Sequence, residues 1–211
     1  MEVEPDSTTY SIVLGACASS GDLEQGRQVH ERLLQNTRDM ITSDSIVQNS
    51  LLNLYAKCGR LDESTKNALE IFKTIQIKDT ISWTSMILGY AQHCQVPQSL
   101  ELFREMIHQG LSPDYVTYTS ILHACGHEGL FHETLEILRW MERDYGIQRT
   151  LEHYHCVIDM LARLGQLDEA EELLKAISYE HESDTIAWIS LLSGLKTQLD
   201  DNFRQQMIRS S

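Results

Sequence analysis

The sequence predicts an all-α protein, one continuous solenoid of stacked helix pairs, and three sets of markers carry that expectation. An apolar pair, Val13-Leu14, returns as Leu51-Leu52, Met86-Ile87, Ile121-Leu122, Val157-Ile158 and Leu191-Leu192, at a period of about 35 residues. Ahead of it an aromatic slot holds Tyr10, Trp83, Tyr118, Tyr154 and Trp188, with Gln48 as the polar exception. An acidic slot holds Asp6, Asp44, Asp79, Asp114 and Asp184, with Thr150 in the remaining place. The three sets keep one register, which unrelated amphipathic helices would not do. A helix pair of this size cannot bury both of its apolar faces alone, so each unit needs neighbours of the same shape.

Taken in order, residues 1–6 read as the closing turn of an earlier unit, ending Pro5-Asp6. Units then follow over 7–44, 45–79, 80–114, 115–150 and 151–184, and 185–211 opens a further one without completing it. The chain therefore reads as a piece of a longer array. The unit 80–114 shows the plan most openly. Trp83, Met86, Ile87 and Tyr90 share one helical face. Pro97 stands where a second helix begins, a place that tolerates a missing N–H. Leu100, Phe103 and Met106 form the apolar stripe of that helix, Gly110 is a natural stop, and Ser112-Pro113-Asp114 turns the chain.

Composition narrows the function classes. No apolar run approaches the ~18 residues of a membrane span, and no basic-then-apolar leader opens the chain. The five cysteines, Cys17, Cys58, Cys94, Cys125 and Cys156, never fall at C-x-x-C spacing, so neither a zinc site nor a disulfide framework is indicated. His123 and His127, one helical turn apart, with His132, His153 and His155 nearby, form the one tempting cluster; ordinary polar helix positions explain them. No H-x-E with P-C-x-x-C, no H-E-x-x-H and no phosphate-binding glycine loop is present. No catalytic residue, cofactor or metal is expected.

At this point the residues carry a family resemblance. The unit from Thr80 resembles a pentatricopeptide repeat. Its neighbours resemble the longer and shorter variants that alternate with it in the plant organellar PLS subclass. TTYSIVLGACASSGDLEQGRQVH and YVTYTSILHACGHEGLFHETLEILRWMERDYGIQRT resemble long variants. SIVQNSLLNLYAKCGRLDES and LEHYHCVIDMLARLGQLDEAEELLKAI resemble short ones, and TIAWISLLSGL resembles the start of an extension motif. The likeness runs from Ser7 to about Leu195. It implies a right-handed α-solenoid of helix-turn-helix repeats that binds single-stranded RNA, as a monomer, in a mitochondrion or chloroplast. The implied role is recognition of a transcript for processing or C-to-U editing, with catalysis supplied elsewhere and a protein partner, such as an editing domain, at the C-terminal end. Two departures stand out. Ser64–Phe72 is about one helical turn longer than the family's second helix, which threatens the reach of Asp79. Asn36–Asp44 is also long and is expected to bulge as a loop.

The resemblance also implies a site. A base is read by the fifth residue of a repeat together with its last: Ser11 with Asp44, Asn49 with Asp79, Thr84 with Asp114, Thr119 with Thr150, and His155 with Asp184. Ile46, Ile81, Val116 and Ile186 stand at the second positions, where apolar side chains pack on base faces; Thr8 and Glu152 depart from that pattern. Lys57 and Arg163 stand at the thirteenth position, near the phosphate backbone. Helix-cap chemistry alone would also favour Asp, Asn and Thr at several of these places. By the family's pairing, Asn49–Asp79 suits uridine and Thr84–Asp114 guanosine, giving 5′-UG-3′, and Ser11–Asp44 leans to a purine.

Charge is the opposing observation. The net charge is −14, whereas a nucleic-acid surface is normally basic. Its distribution eases the conflict. The expected first helices, Thr8–Ser20, Ser45–Gly59, Thr80–Cys94, Tyr115–His127 and Leu151–Leu164, carry Lys57, Arg163, Glu152 and Asp159 and no other charge. Every second helix is net acidic. If the first helices line the groove, the acid faces water outside. The alternative is a protein-binding scaffold of the tetratricopeptide type, whose helix-pair plan has a similar period and whose acidity would suit a basic peptide.

Overall fold

Pairing of neighbouring helices is the organising fact of the architecture. The computed structural model describes residues 5–36, 43–58 and 63–177, and these form ten α-helices with no strand among the described residues. They are α1 (Ser7–Ser20), α2 (Leu23–Asn36), α3 (Ser45–Cys58), α4 (Glu63–Thr74), α5 (Thr80–Gln92), α6 (Val96–His108), α7 (Tyr115–Glu128), α8 (Phe131–Arg143), α9 (Leu151–Arg163) and α10 (Leu167–Ile177). Asp184, Ile186 and the expected extension motif lie outside the described residues.

Local chemistry sets the helix boundaries. Asp6, Asp79 and Asp114 are N-caps in extended backbone, and their carboxylates accept from the N–H groups of Thr9, Ser82 and Thr117. At the far ends of α1, α7 and α9, Gly21 (φ 73°), Gly129 (φ 72°) and Gly165 (φ 75°) take the left-handed conformation that ends a helix without a Cβ penalty. After α5 the same place is filled by Cys94 at φ 55°, the only non-glycine with positive φ among the described residues. Cys94 is exposed and makes no disulfide. Cys94→Gly is therefore expected to stabilise the chain by about 1 kcal/mol, visible as a rise of a few degrees in melting temperature. An unchanged or lower melting point would show that the turn is not strained by the side chain.

The first helices α1, α3, α5, α7 and α9 stack in sequence, the second helices α2, α4, α6 and α8 each pack on their own first helix and on the next one, and α10 packs on α9. Successive second helices hardly meet. A layer whose members are closely packed lies on the inside of a curve, so the first helices form the concave wall. This explains the sequence pattern. A first helix has protein on three sides and is apolar around most of its circumference; a second helix needs one buried stripe. The recurring apolar pairs Leu51-Leu52, Met86-Ile87, Ile121-Leu122 and Val157-Ile158 are all buried. Close approach between first helices is fixed by glycine: a Cβ at Gly89 would lie 2.8 Å from Ala56 Cβ, and one at Gly126 would lie 3.1 Å from the Cys156 carbonyl oxygen.

The aromatic slot staples successive units together. Trp83 of α5 meets Phe72 of α4 edge-on at 5.0 Å between ring centroids, and Tyr118 of α7 meets Phe103 of α6 at 5.6 Å. The second helix of the unit 45–79, α4, is continuous over Glu63–Thr74, 12 residues against 11–14 in the other second helices. No described helix is long and apolar enough to cross a membrane.

Candidate nucleic-acid interface

Each expected reading pair spans two helix units, because its fifth residue lies on one first helix and its last residue caps the next. The structure shows how they meet. Asn49 of α3 donates from Nδ2 to both carboxylate oxygens of Asp79, at 3.3 and 3.2 Å. The added length over Ser64–Phe72 thus leaves Asp79 within reach of Asn49. Ser82 joins the same group: its hydroxyl lies 2.8 Å from Asn49 Oδ1 and 2.8 Å from Asp79 Oδ1, and its N–H donates to Oδ1 at 2.8 Å. Burial would push Asp79 up, but the Ser82 N–H and hydroxyl and the Asn49 amide together hold it below the usual carboxylate value.

In the next unit the contact is relayed. Thr84 and Thr117 hydroxyls are 2.6 Å apart, and Thr117 donates to Asp114 Oδ1 from Oγ1 at 2.7 Å and from its N–H at 2.8 Å. In the following unit His153 is the relay. The Thr150 N–H donates to His153 Nδ1 at 3.1 Å, which puts the imidazole hydrogen on Nε2, 3.2 Å from Thr119 Oγ1. The Thr119 hydroxyl then donates to the Tyr115 carbonyl at 2.9 Å. Burial holds His153 below its ordinary pKa, so this ring stays neutral.

Ser11 and Asp44 are not linked this way among the described residues. Ser11 pairs with Ser50 at 2.8 Å, and Asp44 accepts from the Ile46 N–H at 2.9 Å. The reason is local: the relay position here is Val47, which is apolar and fully buried. His155 sits half-buried on α9, and its expected partner Asp184 lies outside the described residues.

Ser82, Thr117 and His153 are therefore the residues that sequence reasoning missed. A signal was present, since each stands three positions after a helix cap, the spacing of a capping box.

Ser11, Asn49, Asp79, Thr84 and Asp114 line one open cavity of ≈ 520 Å³ along the first-helix wall, with Ile46, Ile81, Val116 and Lys57. Ile46, Ile81 and Val116 are 54%, 59% and 48% exposed. Three half-open aliphatic side chains flanking polar pairs can pack on flat ring faces while the polar groups meet ring edges. The next second position holds Glu152, and the Tyr115 hydroxyl donates to its carboxylate. Thr8, at the first second position, is exposed.

The two expected phosphate cations differ. Lys57 is exposed and makes no ion pair with a described residue. Arg163 is engaged: it pairs with Asp159 at 2.9 Å and donates to the Gly126 and His127 carbonyls at 2.7 and 3.1 Å. It closes the end of α7 and ties it to α9.

The histidine cluster resolves into a pair. His123 and His127 have their Nε2 atoms 2.9 Å apart. Burial, and then the neighbouring His127, push His123 below its ordinary pKa. Among the described residues no three His, Cys, Asp or Glu side chains converge to hold a metal ion. Burial pushes the Cys125 thiol up to about 12 and Cys156 to about 11, so neither is a nucleophile at neutral pH.

Comparison with known proteins follows the same register. A profile of the PPR repeat family matches residues 78–127, and a profile of the single PPR repeat matches 8–36, 49–76, 116–144 and 152–178. A pentatricopeptide repeat-containing protein of Arabidopsis thaliana is 39% identical over 92% of this chain. A second from the same plant, named as mitochondrial, is 37% identical over 93%. The chain spans 30% and 24% of the length of these two relatives. Among solved structures, the maize pentatricopeptide repeat protein PPR10, in complex with an 18-nucleotide psaJ RNA element, superposes with a TM-score of 0.71 at 23% identity. That match covers 89% of this chain and 26% of PPR10. The PPR domain of Arabidopsis protein-only RNase P 1, in complex with tRNA, gives 0.64 at 13% identity over 86% of this chain and 95% of that one.

Proposed function

We propose, because this chain belongs to the pentatricopeptide repeat family, that its first-helix groove binds single-stranded RNA and reads one base per repeat. The observation that carries this is the single cavity that Asn49–Asp79 and Thr84–Asp114 line together with Ile46, Ile81 and Val116. One oxygen of Asp114 is spent on capping α7, while Oδ2 has no partner among the described residues. Capping and base reading thus use different atoms of one carboxylate.

In this reading the chain recognises and does not react. It serves as the recognition part of an organellar RNA-processing factor, most fittingly a C-to-U editing factor of the PLS subclass, with chemistry supplied elsewhere. The relative named as mitochondrial supports the compartment. A protein-binding scaffold is the competing reading, and the net charge of −14 is what favours it. The acidic second helices, however, lie on the side away from the groove.

The test is a titration of labelled single-stranded RNA against the same sequence as a duplex. Stacking contributes about 1–3 kcal/mol per base and needs unpaired bases. Few bases can be engaged, and of the two expected phosphate cations only Lys57 is without an ion pair among the described residues, so binding to the single strand is expected to be weak, with the duplex at least about tenfold weaker still. Equal affinity for the duplex, or displacement of RNA by a basic peptide at lower concentration, would overturn the groove reading.

A further inference from the structure

We propose that Thr117, buried behind the groove wall, is a positioning residue that sets the hydrogen-bond polarity of the Thr84–Asp114 pair and so determines which base edge that pair accepts. The inference rests on the base-reading groove and deepens it. Thr117 is fully buried and does not line the cavity, whereas Thr84 and Asp114 do. It therefore acts through them.

The polarity follows from counting hydrogens. A carboxylate only accepts, so the single Thr117 hydroxyl hydrogen goes to Asp114 Oδ1 at 2.7 Å, the stronger of its two neighbours as an acceptor. The Thr84 hydrogen must then point at Thr117 Oγ1, 2.6 Å away. What Thr84 has left for a ligand is lone pairs, and what Asp114 has left is Oδ2. The pair presents two acceptors side by side. Guanine offers two adjacent donors, N1–H and the N2 amino group; adenine offers an acceptor, N1, beside its N6 amino group.

The neighbouring pair has the opposite character through the same position. Asn49 directs one amide hydrogen at Asp79 and its Oδ1 towards Ser82, leaving one N–H as a donor next to a carboxylate acceptor. A donor beside an acceptor suits uracil, whose N3–H lies between two carbonyls. At Val47 the relay position is apolar, and there Ser11 and Asp44 are not joined. The relay residue thus changes from unit to unit, and the hydrogen-bond character of the pair changes with it.

The experiment compares the full chain with Thr117→Val and Thr117→Ser. Each binds two single-stranded RNAs that differ only in G or A at the base following the uridine. The unaltered chain is expected to favour G by about tenfold. Thr117→Val keeps the shape but removes the relay, frees the Thr84 hydrogen for adenine N1, and is expected to bring the ratio within about twofold of parity. Thr117→Ser restores the hydroxyl and the preference. Thermal melting checks that each variant is folded, and Thr117→Ala carries the same expectation should the valine variant not fold. A folded valine or alanine variant that keeps the G preference, or a serine variant that loses it, overturns the relay while leaving base reading intact. Equal binding of G and A by the unaltered chain overturns both.

Discussion

Truncating Phe103 to Ala is expected to lower stability by about 3–5 kcal/mol and to separate the melting of the chain into two steps. Phe103 is fully buried on α6 and meets Tyr118 of α7 edge-on. In a solenoid each unit touches only its neighbours, so cohesion across any boundary comes from the few side chains that span it. At this boundary the pair Phe103–Tyr118 is the largest of them. A cavity there weakens the junction between the third and fourth units while leaving the units on either side intact, which is why two transitions are expected and not one shifted one. Calorimetry or circular dichroism melting would show it. A single transition displaced by less than the equivalent of about 1 kcal/mol would mean that cohesion is spread more evenly than the packing indicates.

Removing the reading side chains together, Asn49→Ala with Thr84→Ala, is expected to abolish selection for 5′-UG-3′ and to weaken binding of UG-containing RNA by tenfold or more. Each well-formed pair is worth about 1–3 kcal/mol of discrimination, and the two are separate hydrogen-bonded groups, so their losses should nearly add. Stability should change little at Asn49, whose amide is reached from the groove, and more at Thr84, which is buried. Selection of bound RNAs from a random pool decides the matter. Enrichment without UG, or UG enrichment that survives both substitutions, would remove the assignment.

The helix pairs were legible because their signals are short-range. Asp79 and Asp114 cap the helix that follows them, and glycine at Gly21, Gly129 and Gly165 ends the one before. The pairing of Asn49 with Asp79 was legible only through the family resemblance, since the two are thirty residues apart and no local rule joins them. The relays were hidden because Ser82, Thr117 and His153 have different chemistry at one structural position. Arg163 was hidden for a subtler reason. It shares a register with Lys57, yet Asp159 stands one turn before Arg163 and holds it over the end of α7, while the residue one turn before Lys57 is Asn53, which carries no charge to pair with it. A cation's availability depends on the residue four places earlier, which position within the repeat does not report.

The contrast between a tightly stacked inner layer and outer helices that hardly meet has a mechanical meaning. Such a body is stiff against changes in the spacing of its inner wall, where Gly89 and Gly126 already bring backbones into contact. It is compliant against fanning of its outer edge, since little contact is lost there when neighbouring units tilt apart. Small rotations shared among the described units would therefore change pitch and curvature at little cost, while the distance from one reading pair to the next would stay nearly constant.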